Sequence, residues 1–356
     1  WAPIFNEELH SEKSIIAAIR EKDRFLHVPY HSFDGYIRML NEAAINPKVI
    51  SIKTTLYRLA KDSKVISALI CAAQNGKEVT VIIELLARFD EASNIYWSKK
   101  MQDAGVNVIF GVEGLKVHSK ITHISFSVGQ SIACISTGNF HEGNASRYTD
   151  VMLMTANRNI TQDVERVFRF IERPYSPVKF KKLLVSPNEM KKKFVQLIEN
   201  EIQNHLHGKP AWIKMKINHI TDEVITSKIY DAVETGVKVD ALVRGNCSLT
   251  NSETFNNNLT VVGIIDRYLE HSRIFIFANA GNPLYFIGSA DWMTRNLDNR
   301  VEVVAPIYDK DIQNELMTIV EYGLKDNTHG HLVVGQQNCD TKFRSQEQLY
   351  MHYIND

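Results

Sequence analysis

One succession of features occurs twice in this chain: a helical pattern stopped by glycine, an apolar run, then histidine–small residue–cation and a glycine-bearing turn. The first copy reads helical over residues 65–75, stops at Gly76 and enters the apolar run 79–83; the second reads helical over 224–234, stops at Gly236 and enters 237–243. Glycine closes a helix by taking the left-handed conformation, and a short, continuously apolar run suits a strand covered on both faces. Gly76 and Gly236 are 160 positions apart, as are Val79 and Val239; the offset narrows to 153 between His118 and His271, and to 150 between Gly138 and Gly288. Fixed order with slowly narrowing spacing is what loop deletions leave of a duplication. Two tandem α/β domains are therefore expected, each with a sheet between helices.

Further strands are expected at 49–53, 106–110, 116–126 and 132–136 in the first copy, and at 269–277 and 284–287 in the second, with a helix at 94–104. Pro174 and Pro177 end any helix before them, so the domains are placed at 1–175 and 176–356. A lysine-rich helix is expected over 186–204, and 329–341, carrying Gly330 and Gly335, reads as a loop without an assigned role.

Lys plus Arg and Asp plus Glu both total 41 in 356 residues, which excludes a basic coat for long nucleic acid but leaves room for a basic pocket. Cys71, Cys134, Cys247 and Cys339 form no C-x-x-C pair, so neither a zinc ribbon nor a disulfide scaffold is expected; Cys71 and Cys134, in apolar stretches, read as buried thiols. No run of 18 apolar residues and no basic-then-apolar leader is seen. A cytoplasmic protein is the expectation, with peripheral attachment to a membrane left open. The start at Trp1 suggests a piece of something longer.

The residues able to do chemistry fall at strand ends. Residues two apart on a strand share a face, so in Val117-His118-Ser119-Lys120 the histidine and the lysine are expected to point into one space. His271-Ser272-Arg273 repeats the spacing. Two histidines, each followed by a cation, suit a two-sided anion-transfer site: one neutral imidazole attacks phosphorus, the other serves the departing or arriving oxygen, and the cations hold charge on the remaining oxygens. His118 is taken as the nucleophile. Turns at Ser136-Thr137-Gly138-Asn139-Phe140 and Gly288-Ser289-Ala290-Asp291 could bond phosphate oxygens or simply be β-turns. Arg58, Arg88 and Arg244 stand near strand ends, where guanidinium gives bidentate phosphate contacts; surface salt bridging is the alternative, above all for Arg88 beside Asp90 and Glu91. The remaining histidines show no metal spacing, and there is no G-x-x-x-x-G-K-S/T loop, which favours transfer through a protein nucleophile.

These residues resemble the polyphosphate kinase family, the type built on the phospholipase D fold. The resemblance rests on Ile52-Lys53-Thr54-Thr55-Leu56-Tyr57-Arg58, Ala87-Arg88-Phe89-Asp90-Glu91, Gly114-Leu115-Lys116-Val117-His118-Ser119-Lys120, Ser136-Thr137-Gly138-Asn139-Phe140 and Arg147-Tyr148-Thr149-Asp150. It continues through Leu242-Val243-Arg244-Gly245, Asp266-Arg267-Tyr268-Leu269-Glu270-His271-Ser272-Arg273 and Gly288-Ser289-Ala290-Asp291-Trp292-Met293-Thr294-Arg295-Asn296. It implies two phospholipase D-like domains with mixed sheets. It also implies reversible transfer of the ATP γ-phosphate to polyphosphate through a phosphohistidine on His118, with His271 as acid/base partner and Lys120 in support.

By the same resemblance Tyr148 and Arg244 would contact nucleotide phosphates, with Arg273 and Asn139 beside them, and Arg58 and Arg88 would lie near Mg²⁺. Two cations do not ligate each other, so phosphate or water would stand between. The implied partners are ATP or ADP and polyphosphate, with no nucleic acid, and a homo-oligomer for the full-length protein. Ser125 stands in the region where the wider phospholipase D pattern has an aspartate, which favours phosphoryl transfer over diester hydrolysis. Family members also carry two domains ahead of the matched region. Two other readings stay open: a phospholipase D-type phosphodiesterase, and a fragment that binds polyphosphate without turnover.

Overall fold

A computed structural model describes residues 1–5, 9, 14–57, 63–84, 91–112, 114–250, 257–335 and 341–355. The chain divides into two compact units, one formed by 2–185 with 300–303 and the other by residue 1, 186–299 and 304–356.

The first unit is built on β1 (Arg24–Val28), β2 (Val49–Leu56), β3 (Glu78–Ile83), β4 (Asn107–Phe110), β6 (Ile121–Phe126), β7 (Ile132–Ser136) and β8 (Tyr148–Thr155), in the order β1-β8-β7-β6-β2-β3-β4. β2, β3 and β4 are parallel, whereas β2/β6, β6/β7, β7/β8 and β8/β1 are antiparallel. Parallel neighbours need crossovers, and helices Lys64–Gln74 and Glu91–Asp103 supply them. The first starts where the Ser63 hydroxyl accepts from the Ile66 N–H, and the chain turns at Gly76, φ +78°. Along β2, Ile52 and Leu56 face a core shared with Tyr36, Met39 and Leu69. Lys53 and Thr55 fall on the opposite face, because side chains alternate along a strand. The short β5 (Lys116–Val117) pairs in parallel with Arg300 and Val301.

The second unit repeats the plan. Following β9 (Leu184–Ser186) and helix Met190–Leu206 come β10 (Trp212–Ile217), β11 (Lys238–Val243), β12 (Leu259–Ile264), the short β13 (Leu269–Glu270), β14 (Ile274–Phe277), β15 (Leu284–Gly288), β16 (Arg300–Ile307) and β17 (Gly330–Val334). The order β17-β12-β11-β10-β14-β15-β16 contains β16-β15-β14-β10-β11-β12, the counterpart of β8-β7-β6-β2-β3-β4 in the first unit. Helix Glu223–Thr235 links β10 to β11, capped by Asp222 and closed by Gly236 at φ +111°. Both sheets are mixed, and the repeated landmarks occupy equivalent places: Val79 in β3, Val239 in β11.

Several expectations need correction. The strands predicted over 116–126 and 269–277 are each broken, into β5 and β6 and into β13 and β14, and the histidine lies in the gap both times. The glycine-bearing loop expected from residue 329 contains a strand, since β17 pairs with β12. Cys134 is fully buried, but Cys71 is exposed on the outer side of its helix; Cys339 lies outside the described residues. Among the described residues no helix is long and apolar enough to cross a membrane.

Candidate active site

His118 sits between β5 and β6 because its backbone is held from elsewhere. The N–H groups of His118 and Ser119 both donate to the carbonyl of Val301, at 3.0 and 2.9 Å, and leave the β6 ladder to do so. The next residue on β16, Glu302, then meets the imidazole: Nδ1 stands 2.9 Å from Oε1 and 3.0 Å from Oε2. The Glu302 side chain is completely buried and that of His118 is 16% exposed. A carboxylate beside Nδ1 favours the tautomer with the proton on Nδ1 and leaves the Nε2 lone pair for attack. Tyr57 packs edge-on against the imidazole, with ring centres 5.5 Å apart at 85°.

Lys120 is 2% exposed. Its ammonium donates to the carbonyl of His118 and lies 5.8 Å from the centre of the Tyr57 ring, while Lys116 approaches the same ring at 5.2 Å. Thr55, on the β2 face opposite the core, donates through its hydroxyl to the Ser119 carbonyl at 2.7 Å. The backbone around His118 is thus fixed on both sides.

The turn after β7 is also tightly built. Thr137 Oγ1 donates to Asp150 Oδ1 at 2.6 Å and accepts from the Val151 N–H at 3.0 Å. The Asp150 carboxylate lies where a Cβ on residue 138 would stand, so glycine is required there. Next in the chain, the side-chain oxygen of Asn139 is buried with no hydrogen-bond partner among the described residues, as is the Ser119 hydroxyl. Orphaned buried acceptors are uncommon in native proteins and suit a site that receives a donor with its ligand. Tyr148 is half-buried at the start of β8. Arg58 and Arg88 lie outside the described residues.

In the second unit the same local device reappears. Arg273 Nη1 donates to the carbonyl of His271, two residues back, at 3.0 Å and lies 3.3–3.4 Å from the ring nitrogens. Its other guanidinium edge meets Asp291 in two bonds, 3.2 and 3.1 Å. Burial would raise the Asp291 carboxyl, but the charge and hydrogen bonds of Arg273, with the Asn218 N–H, outweigh it and hold the pKa down to about 2. Asn218 joins three parts: its N–H donates to Asp291, its amide to the His271 carbonyl at 3.2 Å, and its side-chain oxygen accepts from Arg244 Nε at 3.1 Å. Neighbouring His219 is pushed below its ordinary pKa by burial, opposed by Asp291 and reinforced by Arg244, Arg273 and Arg295.

The residues missed by sequence reasoning are Glu302, Tyr57 as a packing partner, and Asn218. Only Glu302 left a trace, as the one acid in the otherwise apolar run Val301–Val304.

Comparison with known proteins converges on one family. The family described as Polyphosphate kinase C-terminal domain 1 matches residues 14–177, and Polyphosphate kinase C-terminal domain 2 matches 183–351. The curated polyphosphate kinase of Vibrio parahaemolyticus is 44% identical over 349 residues, 95% of this chain and 50% of that protein; the one from Escherichia coli K12 is 44% identical over 89% of this chain and 46% of its own length. The chain therefore spans about half the length of these relatives. Among solved structures, the polyphosphate kinase of Porphyromonas gingivalis superposes with a TM-score of 0.92 at 39% identity, covering 99% of this chain and 56% of that one. A phosphatidylserine synthase of Haemophilus influenzae, with TM-score 0.61 and 10% identity over 94% of this chain and 92% of its own, shares the phospholipase D-like fold alone. Matched along most of its length by both domain descriptions, this chain belongs to the polyphosphate kinase family, to the part that holds its two carboxyl-terminal domains.

Proposed function

We propose that this chain carries the phosphoryl-transfer centre of an ATP:polyphosphate phosphotransferase, with His118 as the transient phosphate carrier. The observation that supports it best is the buried Glu302 carboxylate at Nδ1 of His118, which leaves Nε2 as the nucleophilic edge. In the first step Nε2 attacks the γ-phosphorus of ATP; an N–P bond forms, the bond from phosphorus to the bridging oxygen breaks, and ADP departs with that electron pair. In the second, the terminal oxygen of polyphosphate attacks the same phosphorus, the N–P bond breaks, and Nε2 regains its lone pair. Each step run backwards makes ATP from polyphosphate.

The other assignments accompany this reading. Lys120 fixes the His118 carbonyl and adds positive charge nearby, and the Asn139 amide, through its N–H₂ group, and the Tyr148 hydroxyl donate to phosphate oxygens. His271 handles the proton of an attacking or leaving oxygen, steadied by Arg273, and Arg244 contacts nucleotide phosphate. A divalent cation, Mg²⁺ by preference, would neutralise charge on the nucleotide when bound. Among the described residues no three His, Cys, Asp or Glu side chains group closely enough to hold a metal. Such an ion would take most of its ligands from phosphate oxygens and water, as Mg²⁺ commonly does in kinases, with Arg58 and Arg88 assigned to those phosphates.

Incubation with γ-labelled ATP and Mg²⁺ tests the proposal. Acid-labile, base-stable label is expected on His118, transferable to added polyphosphate. Label that persists in His118→Ala, or release of an alcohol from a phosphodiester at comparable rate, overturns it.

A further inference from the structure

The first unit carries a second basic site, apart from His118. A cavity of about 590 Å³ opens beside helix Arg158–Glu172. Arg166, Arg169 and Arg173 line it at helical spacing, joined by Lys53 from β2 and Lys179 from the following segment. Only two carboxylates, Glu165 and Glu172, share the lining. Lys53 is paired with Glu172 at 2.9 Å and Arg166 with Asp163 at 2.5 Å. Arg169, Arg173 and Lys179 have no carboxylate partner among the described residues, and all three are exposed. A cation near a helix carboxyl end complements the helix dipole, which accounts for Arg169 and Arg173 in part. It does not account for Lys179, which reaches the same cavity from outside the helix.

We propose that this cavity binds the distal part of an inorganic polyphosphate chain whose end is at His118; the proposal rests on the phosphotransferase reading above. Two observations favour this ligand. Lys53 shares a face of β2 with Thr55, the residue bonded to the Ser119 carbonyl, and two strand residues span only about 7 Å. The cavity therefore begins within a few residues of the loop that carries His118, in the same unit. Guanidinium and ammonium groups match closely spaced phosphates, whereas none of the cavity's lining residues is aromatic, so nucleic-acid bases would find no aromatic ring to stack on.

The test compares the full chain with Arg169→Ala/Arg173→Ala, measuring binding of long-chain polyphosphate, tripolyphosphate and single-stranded RNA over a salt series. Long-chain affinity is expected to fall about tenfold, with the slope of log Kd against log salt smaller by about 1–2, while tripolyphosphate binding is unchanged. Arg169→Glu/Arg173→Glu should lose more at an unchanged unfolding midpoint, since both side chains are exposed. Unaltered long-chain affinity in both variants overturns the proposal, as does equal loss for tripolyphosphate; RNA binding that matches polyphosphate and falls in parallel assigns the cavity to nucleic acid instead. Labelling of His118 by γ-labelled ATP is followed alongside. Absence of label in the unaltered chain overturns the phosphotransferase reading, whereas normal label with unchanged long-chain binding overturns the cavity alone.

Discussion

Glu302 and His118 are 184 positions apart in the chain, yet their side chains meet at 2.9 Å inside one unit, with the carboxylate completely buried. The pairing follows from a backbone device: Val301 accepts from two consecutive N–H groups of the histidine loop, which brings residue 302 to the ring. Glu302→Gln keeps the shape and removes the charge. The rate of His118 labelling by ATP is expected to fall at least about tenfold to a hundredfold, the range seen when a carboxylate that orients a metal-bound imidazole is lost, with ATP affinity little changed. Rapid-quench labelling combined with equilibrium nucleotide binding separates the two quantities, and an unchanged rate would remove Glu302 from any orienting role.

Asp291 and Arg273 form the corresponding rigid element of the second unit. Asp291→Ala would leave a buried guanidinium without its partner, a loss of about 3–5 kcal/mol in unfolding free energy. The pH dependence has a definite sign. A carboxyl at about 2 in the folded state and near 3.8 when unfolded contributes stability that is complete above pH 3.8 and lost as pH falls through 2. Urea unfolding of Asp291→Asn between pH 5 and pH 2 should show a shallower acid loss than the unaltered chain.

The architecture was legible because it is written twice. Gly76 and Gly236, Val79 and Val239, and the two histidines mark equivalent places in two sheets of matching strand order, so each copy supports the reading of the other. Most of the failures are long-range. Residues 116–126 have the composition of one strand, and nothing local reveals that the Val301 carbonyl captures His118 and Ser119 and breaks it. The segment after His329 carries glycines typical of a loop, yet Leu332 pairs with Val262. Cys71 belongs to an apolar helix but falls on its outer side, a question of rotational phase that composition does not answer. Of the site, His118, the proposed nucleophile, could be singled out from repeated spacing. The carboxylate that orients it could not, since a partner so distant in sequence has no fixed offset to search.

His123 gives a prediction at milder pH. It lies beside Lys53 in the β2/β6 register, and burial lowers its pKa to about 4, with Glu165 opposing and Lys53 reinforcing. Its ordinary value is 6.5, so the unfolded chain takes up a proton first as pH falls. The stability tied to the neutral ring is complete above pH 6.5 and declines down to pH 4; between pH 7 and pH 5 the loss is about 2 kcal/mol. His123→Asn should flatten the change in urea midpoint across that interval. A variant as acid-sensitive as the unaltered chain would place the effect on another group.

Gly138 and Asp150 supply the last. A methyl group at residue 138 would overlap the Asp150 carboxylate, which accepts the Thr137 hydroxyl and cannot withdraw without breaking that 2.6 Å bond. Gly138→Ala is therefore expected to destabilise by about 1–3 kcal/mol, the usual range for overpacking in a filled interior. It should also slow His118 labelling, because the displaced turn begins directly after β7 and carries Asn139. The cause can be isolated with a second substitution. Asp150→Ala alone forfeits the Thr137 bond, but with the carboxylate gone the added methyl group has room, so Gly138→Ala should cost much less in the Asp150→Ala background. A double-mutant cycle read by thermal unfolding gives the coupling; if the two losses simply add, the steric account of this turn is wrong.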